Sequence, residues 1–126
     1  MNDPASSAAT PAPYGLETEV RLTDGGVLVC TLTGDLDLDG AVTAGPALEQ
    51  AARSGAPLMV VELSRVGFCD SSGLNLLLRI RTEAGEVGTA LRLAGAPHQL
   101  QRLLEITGAD RVFVLEPTLE HALATR

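Results

Sequence analysis

The sequence predicts one α/β domain: a mainly parallel sheet of about five strands, an antiparallel edge hairpin and about four helices. Three observations carry this. The segments read in the order β-β-α-β-α-β-α-β-α, and strands that alternate with helices build parallel sheets with crossover helices. The run Leu58–Leu63 (LMVVEL) is apolar almost without a break, as a central strand covered on both faces requires. Finally, the chain has 126 residues. Size scaling gives roughly 6,400 Å² of surface folded against roughly 19,000 Å² unfolded, enough burial for one core and not for two.

Residues 1–13 hold three prolines and mostly small side chains, so they read as a disordered tail ahead of a folded domain over 14–126. Leu16–Thr23 alternates as an edge strand. Asp24-Gly25-Gly26 is a turn signal, and Val27–Thr33 (VLVCTLT) returns as the second arm of the hairpin. Gly34–Gly40 reads as an acidic loop, with Asp39 the expected N-cap of a helix over Gly40–Arg53. Gly55 and Pro57 close that helix. The Leu58–Leu63 strand continues through Val66–Cys69, and Asp70–Gly73 breaks it before an apolar-rich helix over Leu74–Ala84. Thr89–Ala94 is a further strand, and Pro97 opens a helix that ends near Thr107-Gly108. Arg111–Leu115 is the last strand, and Pro117 opens a terminal helix to about Ala124.

Composition narrows the function classes. Aromatic residues make up 2% of the chain, too few for a base-stacking platform. The formal net charge is −7, from nine arginines, no lysine and 16 acids. Such a chain is a poor partner for nucleic acid or an anionic membrane. Without lysine there is no Schiff-base chemistry and no Walker-type phosphate site. No apolar run reaches the length of a membrane span, and the N-terminus lacks the basic start and apolar stretch of a signal peptide, so a cytoplasmic protein is expected. Cys30 and Cys69 lie inside apolar segments and read as buried free thiols.

Three segments could carry chemistry. Phe68-Cys69-Asp70-Ser71-Ser72-Gly73-Leu74 joins a buried strand to a helix. Locally it is a helix start, capped by Ser71 or Ser72. It also stands at the carboxyl end of a strand, where α/β folds place their sites. A phosphorylated serine there would face the positive end of the helix. Thr31–Asp37 ends a neighbouring strand, so Asp35 and Asp37 are expected to form an acidic rim with Asp70 around Ser71. No histidine lies near them, and no metal or other cofactor is expected. Leu103–Ala109 reads as the end of an amphipathic helix with Gly108 at C′. Catalysis lacks its parts: His98 and His121 have no triad-like setting, and Gly-x-Ser-x-Gly is absent.

Taken together, Gly34-Asp35-Leu36-Asp37, then Val61-Glu62-Leu63 leading into Phe68–Leu74, then Leu103–Gly108 resemble the STAS domain, and more narrowly the bacterial anti-anti-sigma factors, or anti-sigma factor antagonists. The resemblance spans about residues 14–124. It implies a STAS-like fold and a binding protein, not an enzyme, that sequesters an anti-sigma factor and so frees a sigma factor for transcription. In such partner-switching systems the anti-sigma factor often has serine kinase activity and phosphorylates the first serine after the motif's aspartate. That position is Ser71 here, with Ser72 the adjacent alternative. A PP2C-type phosphatase reverses the modification. By resemblance, Asp35, Asp37, Asp70, Ser72 and Gly73 are the partner-binding positions. The family often has Gly-Leu-Gly after the serines, whereas this chain has Gly73-Leu74-Asn75, a departure that bears on partner choice. Two other classes remain: a STAS subunit of a non-sigma assembly, such as a lipid-transport or stress-signalling complex, and a small hydrolase using Ser71.

Overall fold

In the computed structural model, which describes residues 15–124, the chain opens with a hairpin closed at Thr23. The Thr23 N–H donates to the Val27 carbonyl (2.9 Å), and the Val27 N–H returns to Thr23 Oγ1 (3.1 Å). Gly26, at φ +83°, makes the reversal. The hairpin joins β1 (Glu17–Leu22) to β2 (Val27–Leu36). There follow α1 (Leu38–Ala52), β3 (Leu58–Cys69), α2 (Ser71–Glu86), β4 (Ala90–Ala94) and α3 (His98–Thr107). A 3₁₀ turn over Ala109–Arg111, β5 (Val114–Glu116) and α4 (Leu119–Ala124) complete the fold. The expected tail, residues 1–13, lies outside the described residues.

The sheet runs β1-β2-β3-β4-β5, with β1 antiparallel to β2 and every other pair parallel. This is the predicted α/β architecture. Alternation along the strands divides the core. Cys30, Leu32, Met59, Val61, Leu63 and Leu93 face α1, α2 and α3. Val27, Val29, Leu58 and Val60 face the other way and are covered by Ala122, Leu119 and Leu123 of α4. The Leu58–Leu63 run is therefore buried on both faces, as its continuous hydrophobicity requires. Among the described residues, no helix is long and apolar enough to cross a membrane.

The structure corrects several local expectations. β2 does not stop at Thr33: Gly34, Asp35 and Leu36 continue the strand and pair with β3. What reads as an acidic loop is the last three residues of β2, which β3 is long enough to template, then the cap Asp37 and the first turn of α1. Helix α1 starts earlier than expected, and its N-cap is Asp37, not Asp39. Helix α2 starts at Ser71, and its N-cap is Asp70 and neither serine. β5 spans three residues, since part of the expected strand is taken up by the 3₁₀ turn.

Candidate functional site

The site forms where β2 and β3 end side by side. Their register slips twice, and at the second slip Gly34 and Asp35 oppose Val66 and Phe68, leaving Gly67 as an extra residue in β3. Such bulges re-aim the side chains around them. Here the bulge brings the Asp35 carboxylate over the Gly67 backbone: a Cβ on Gly67 would lie 3.0 Å from Asp35 Oδ1.

Beyond the bulge, both helices begin against consecutive carbonyls of β2. A Cβ on Gly40 would lie 2.1 Å from the Asp35 carbonyl oxygen, and one on Gly73 would lie 2.1 Å from that of Leu36. Only glycine fits at either place, and each lets a first helical turn settle onto the strand end. Each helix then takes its cap from the residue just before it. Asp37 Oδ1 accepts from the Gly40 N–H at 2.9 Å. Asp70 Oδ1 accepts from the N–H groups of Ser72 (2.9 Å) and Gly73 (3.3 Å). Two positive helix ends thus converge on one small region, each met by a carboxylate.

The end of β3 is held from the other side by α3. Gln99 Oε1 accepts from the Cys69 N–H at 2.9 Å, and Gln99 Nε2 donates to the Cys69 carbonyl at 2.8 Å. This amide takes the place of a neighbouring strand where β4 has already ended. The Cys69 thiol is buried under Gly73. Burial, and then the Asp70 charge, push its pKa up to about 12, so it is an inert thiol. Both cysteines are free, as the sequence suggests.

With these roles assigned, the expected site residues separate. Asp37 and Asp70 are half-buried caps. Gly73 is buried and shapes the helix start without reaching the surface. Asp35 and Ser71 are exposed, and Ser72 is half-buried. The Ser71 hydroxyl makes no hydrogen bond with the described residues, because Asp70 does the capping. Asp35, Asp37 and Asp70 all lie where β2 and β3 end side by side, and of the three only Asp35 is exposed and caps no helix. Gly108 closes α3 at φ +78°, the role its place at C′ suggests. His98 is exposed at the start of α3, and His121 pairs with Glu116 beside α4.

Sequence reading missed the apolar part of this surface. Leu38 and Val42 on α1 are 63% and 69% exposed, and Phe68 beside Asp35 is 45% exposed. A groove of about 280 Å³ between α1 and α2 is lined by Leu38, Val42, Ser72, Asn75 and Arg79, among others. The spacing of Leu38 and Val42, off the inward stripe of Ala44, Leu48 and Ala51, is a signal that would have marked them.

A family model described as "Mlab, STAS domain" matches residues 21–117. The chain belongs to the STAS-domain family. Among solved structures, this STAS domain is similar to an anti-sigma factor antagonist from Mycobacterium paratuberculosis, at 33% identity over 91% of this chain and 97% of that one, with a TM-score of 0.70. The Bacillus cell fate determinant SpoIIAA in its phosphorylated form shares the fold at 21% identity, 85% and 96% coverage and a TM-score of 0.67. SpoIIAA is also known in an unphosphorylated form. A sulfate transporter family protein from Wolinella succinogenes shares the fold too, at 20% identity, 82% and 87% coverage and a TM-score of 0.71. The STAS domain fold thus serves proteins of different settings, and the site has to carry the argument about function.

Proposed function

We propose that this STAS domain is an anti-sigma factor antagonist, a binding protein switched by phosphorylation of Ser71. The observation that carries the reading is the exposed Ser71 hydroxyl on the first residue of α2, which has no hydrogen bond among the described residues because Asp70 has taken over the capping that a serine would otherwise perform. Likeness to the mycobacterial antagonist supports it, as does the existence of both phosphorylated and unphosphorylated SpoIIAA.

Unphosphorylated, the domain offers exposed apolar side chains near the start of α2: Leu38 and Val42 on the groove that Ser72 also lines, and Phe68, paired with Asp35, on the strand that leads into Ser71. An anti-sigma factor with serine kinase activity binds this surface and releases its sigma factor. It then phosphorylates Ser71, Ser72 being the alternative acceptor. The phosphate adds a charge of about −1.5 to −2 beside Asp35 and Asp70. Within the domain, the positive end of α2 offsets that charge. At the interface nothing does. One like-charge pair at about 5 Å, with an effective dielectric near 20, costs roughly 3 kcal/mol, about a hundredfold in affinity. A PP2C-type phosphatase restores the binding form.

The test is capture of partners with the unphosphorylated chain, followed by mass spectrometry of the partner and of the Ser71 peptide, and then titration of both forms against that partner. A kinase-type anti-sigma factor that binds the phosphorylated form about a hundredfold more weakly is expected. Equal affinities would refute the switch. A second reading, a STAS subunit of a non-sigma assembly, has support in the name carried by the family model and in the transporter protein that shares the fold. Under that reading the captured partner is a transporter component and Ser71→Ala binds it as wild type does.

A further inference from the structure

The edge opposite β5 is β1, and among the described residues its outer backbone groups pair with nothing. It is six residues long, and an open edge of that length is a template for another strand. We propose that β1 is a self-association surface, and that its occupant is β1 of a second copy, paired antiparallel about a two-fold axis through Val20.

The argument is self-complementarity. Glu17, Glu19 and Arg21 lie on one face of β1, and Thr18, Val20 and Leu22 on the other. A two-fold axis through Val20 sets Glu19 of each copy opposite Arg21 of the other, twice over. On the second face it sets Val20 against Val20 and Leu22 against Thr18. Moving the axis to Glu19 would keep two Glu–Arg pairs, Glu17 with Arg21, but would add a Glu19–Glu19 repulsion at the centre, so charge favours the axis at Val20. An edge protected against self-pairing would carry one sign of charge, whereas this one carries both. The apolar face is also unfinished. Leu22 is 67% exposed, and a groove of about 400 Å³ runs between the hairpin and α1, over Val20, Leu28 and Ala51. A second β1 would lay its own Val20 and Leu22 along that groove. The contact is isologous and closes on itself, giving a dimer with a continuous ten-stranded sheet and no fibre. One short strand and one groove place the interface at the small end of specific contacts, so the dimer should dissociate on dilution. Ser71 begins α2 at the end of β3, two strands in from this edge, so both copies keep the site open.

Sedimentation velocity of the full chain over a dilution series tests this. Wild type should pass from dimer to monomer as it is diluted. Arg21→Glu replaces two attractive pairs with two repulsive ones and should weaken association about tenfold or more. The double exchange Glu19→Arg/Arg21→Glu should restore it. Both side chains are exposed, and unchanged circular dichroism would show the fold intact. Independently, Val20→Cys should form an intermolecular disulfide on mild oxidation. Wild type should not, because Cys30 and Cys69 are buried. A chain that stays monomeric throughout, or a dimer indifferent to Arg21→Glu and not linked through Val20→Cys, would overturn the proposal.

Discussion

The carbonyl oxygen of Leu36 sits so close to the α-carbon of Gly73 that a methyl group there would lie 2.1 Å from it. Leu36 ends β2 and Gly73 belongs to the first turn of α2, so this approach locks the two halves of the site together. Gly73→Ala should therefore destabilise the domain by about 2 kcal/mol or more, although alanine is the better helix former. Gly85 in the same helix has open space around it, and Gly85→Ala should stabilise by about 0.5–1 kcal/mol. Denaturant titration of the pair measures both. Equal effects would mean that the approach to Leu36 carries no weight.

Capping and switching should separate by mutation. Asp70→Ala removes the acceptor of two backbone N–H groups and should cost about 1–2 kcal/mol, while Asp70→Asn should recover most of that. Ser71→Ala should change stability by less than about 0.5 kcal/mol, since the hydroxyl bonds to nothing in the described chain. Thermal melts of the three variants suffice to check this.

Phosphorylation of Ser71 should leave the fold in place. Incubation with the cognate kinase and ATP should add one phosphate to wild type and none to Ser71→Ala, by intact mass. Amide exchange of the phosphorylated domain should differ from wild type only near the start of α2, because the helix end accommodates the charge. Widespread loss of protection would show instead that the switch works by loosening the domain. Ser71→Asp should imitate the phosphate only in part, having one charge and less bulk.

The buried thiols set the alkaline limit of stability. Burial raises both Cys30 and Cys69 from the ordinary 9.0 to about 12. The unfolded chain ionises first, so above pH 9 it binds fewer protons than the native chain and stability falls as pH rises. The fall should begin near pH 9 and reach at most about 1.4 kcal/mol per pH unit for each thiol. With no lysine and one tyrosine in the chain, few other groups titrate in that window. Urea midpoints between pH 8 and 11 should drop for wild type and flatten for Cys30→Ala/Cys69→Ala.

Removal of residues 1–13 should leave the melting temperature and partner affinity unchanged. That segment has almost nothing to bury, being rich in alanine, serine and proline. A fall of several degrees would show that it packs on the domain.

The two motifs of the site were legible in the chain, but not the division of labour inside them. Asp35, Asp37, Asp39, Asp70, Ser71 and Ser72 are all residue types that cap helices. Choosing among them depends on where each helix starts. Sequence reading put α1 at Gly40 and α2 at Leu74, so it gave the caps to Asp39 and to a serine. The actual starts, Leu38 and Ser71, move the caps to Asp37 and Asp70. That shift of two or three residues is what leaves the Ser71 hydroxyl unengaged. Leu38 and Val42 were missed because an apolar residue on a helix is taken as core until its face is known.

Element order, strand type and the covered central strand were determined by the sequence alone. They rest on local periodicity and on turn residues such as Gly26 and Gly108, whose backbone needs are met within a few positions. Tertiary structure alone decided how the ends meet. The slip in register at Gly34 and Asp35 arises because β3 carries an extra residue, Gly67, that β2 does not. The glycines at 40 and 73 are required by carbonyls of β2 that belong to a different element. The Gln99 clamp on Cys69 spans thirty residues. Each of these is a contact between segments distant in the chain, set by packing of the whole sheet, and no local pattern encodes it.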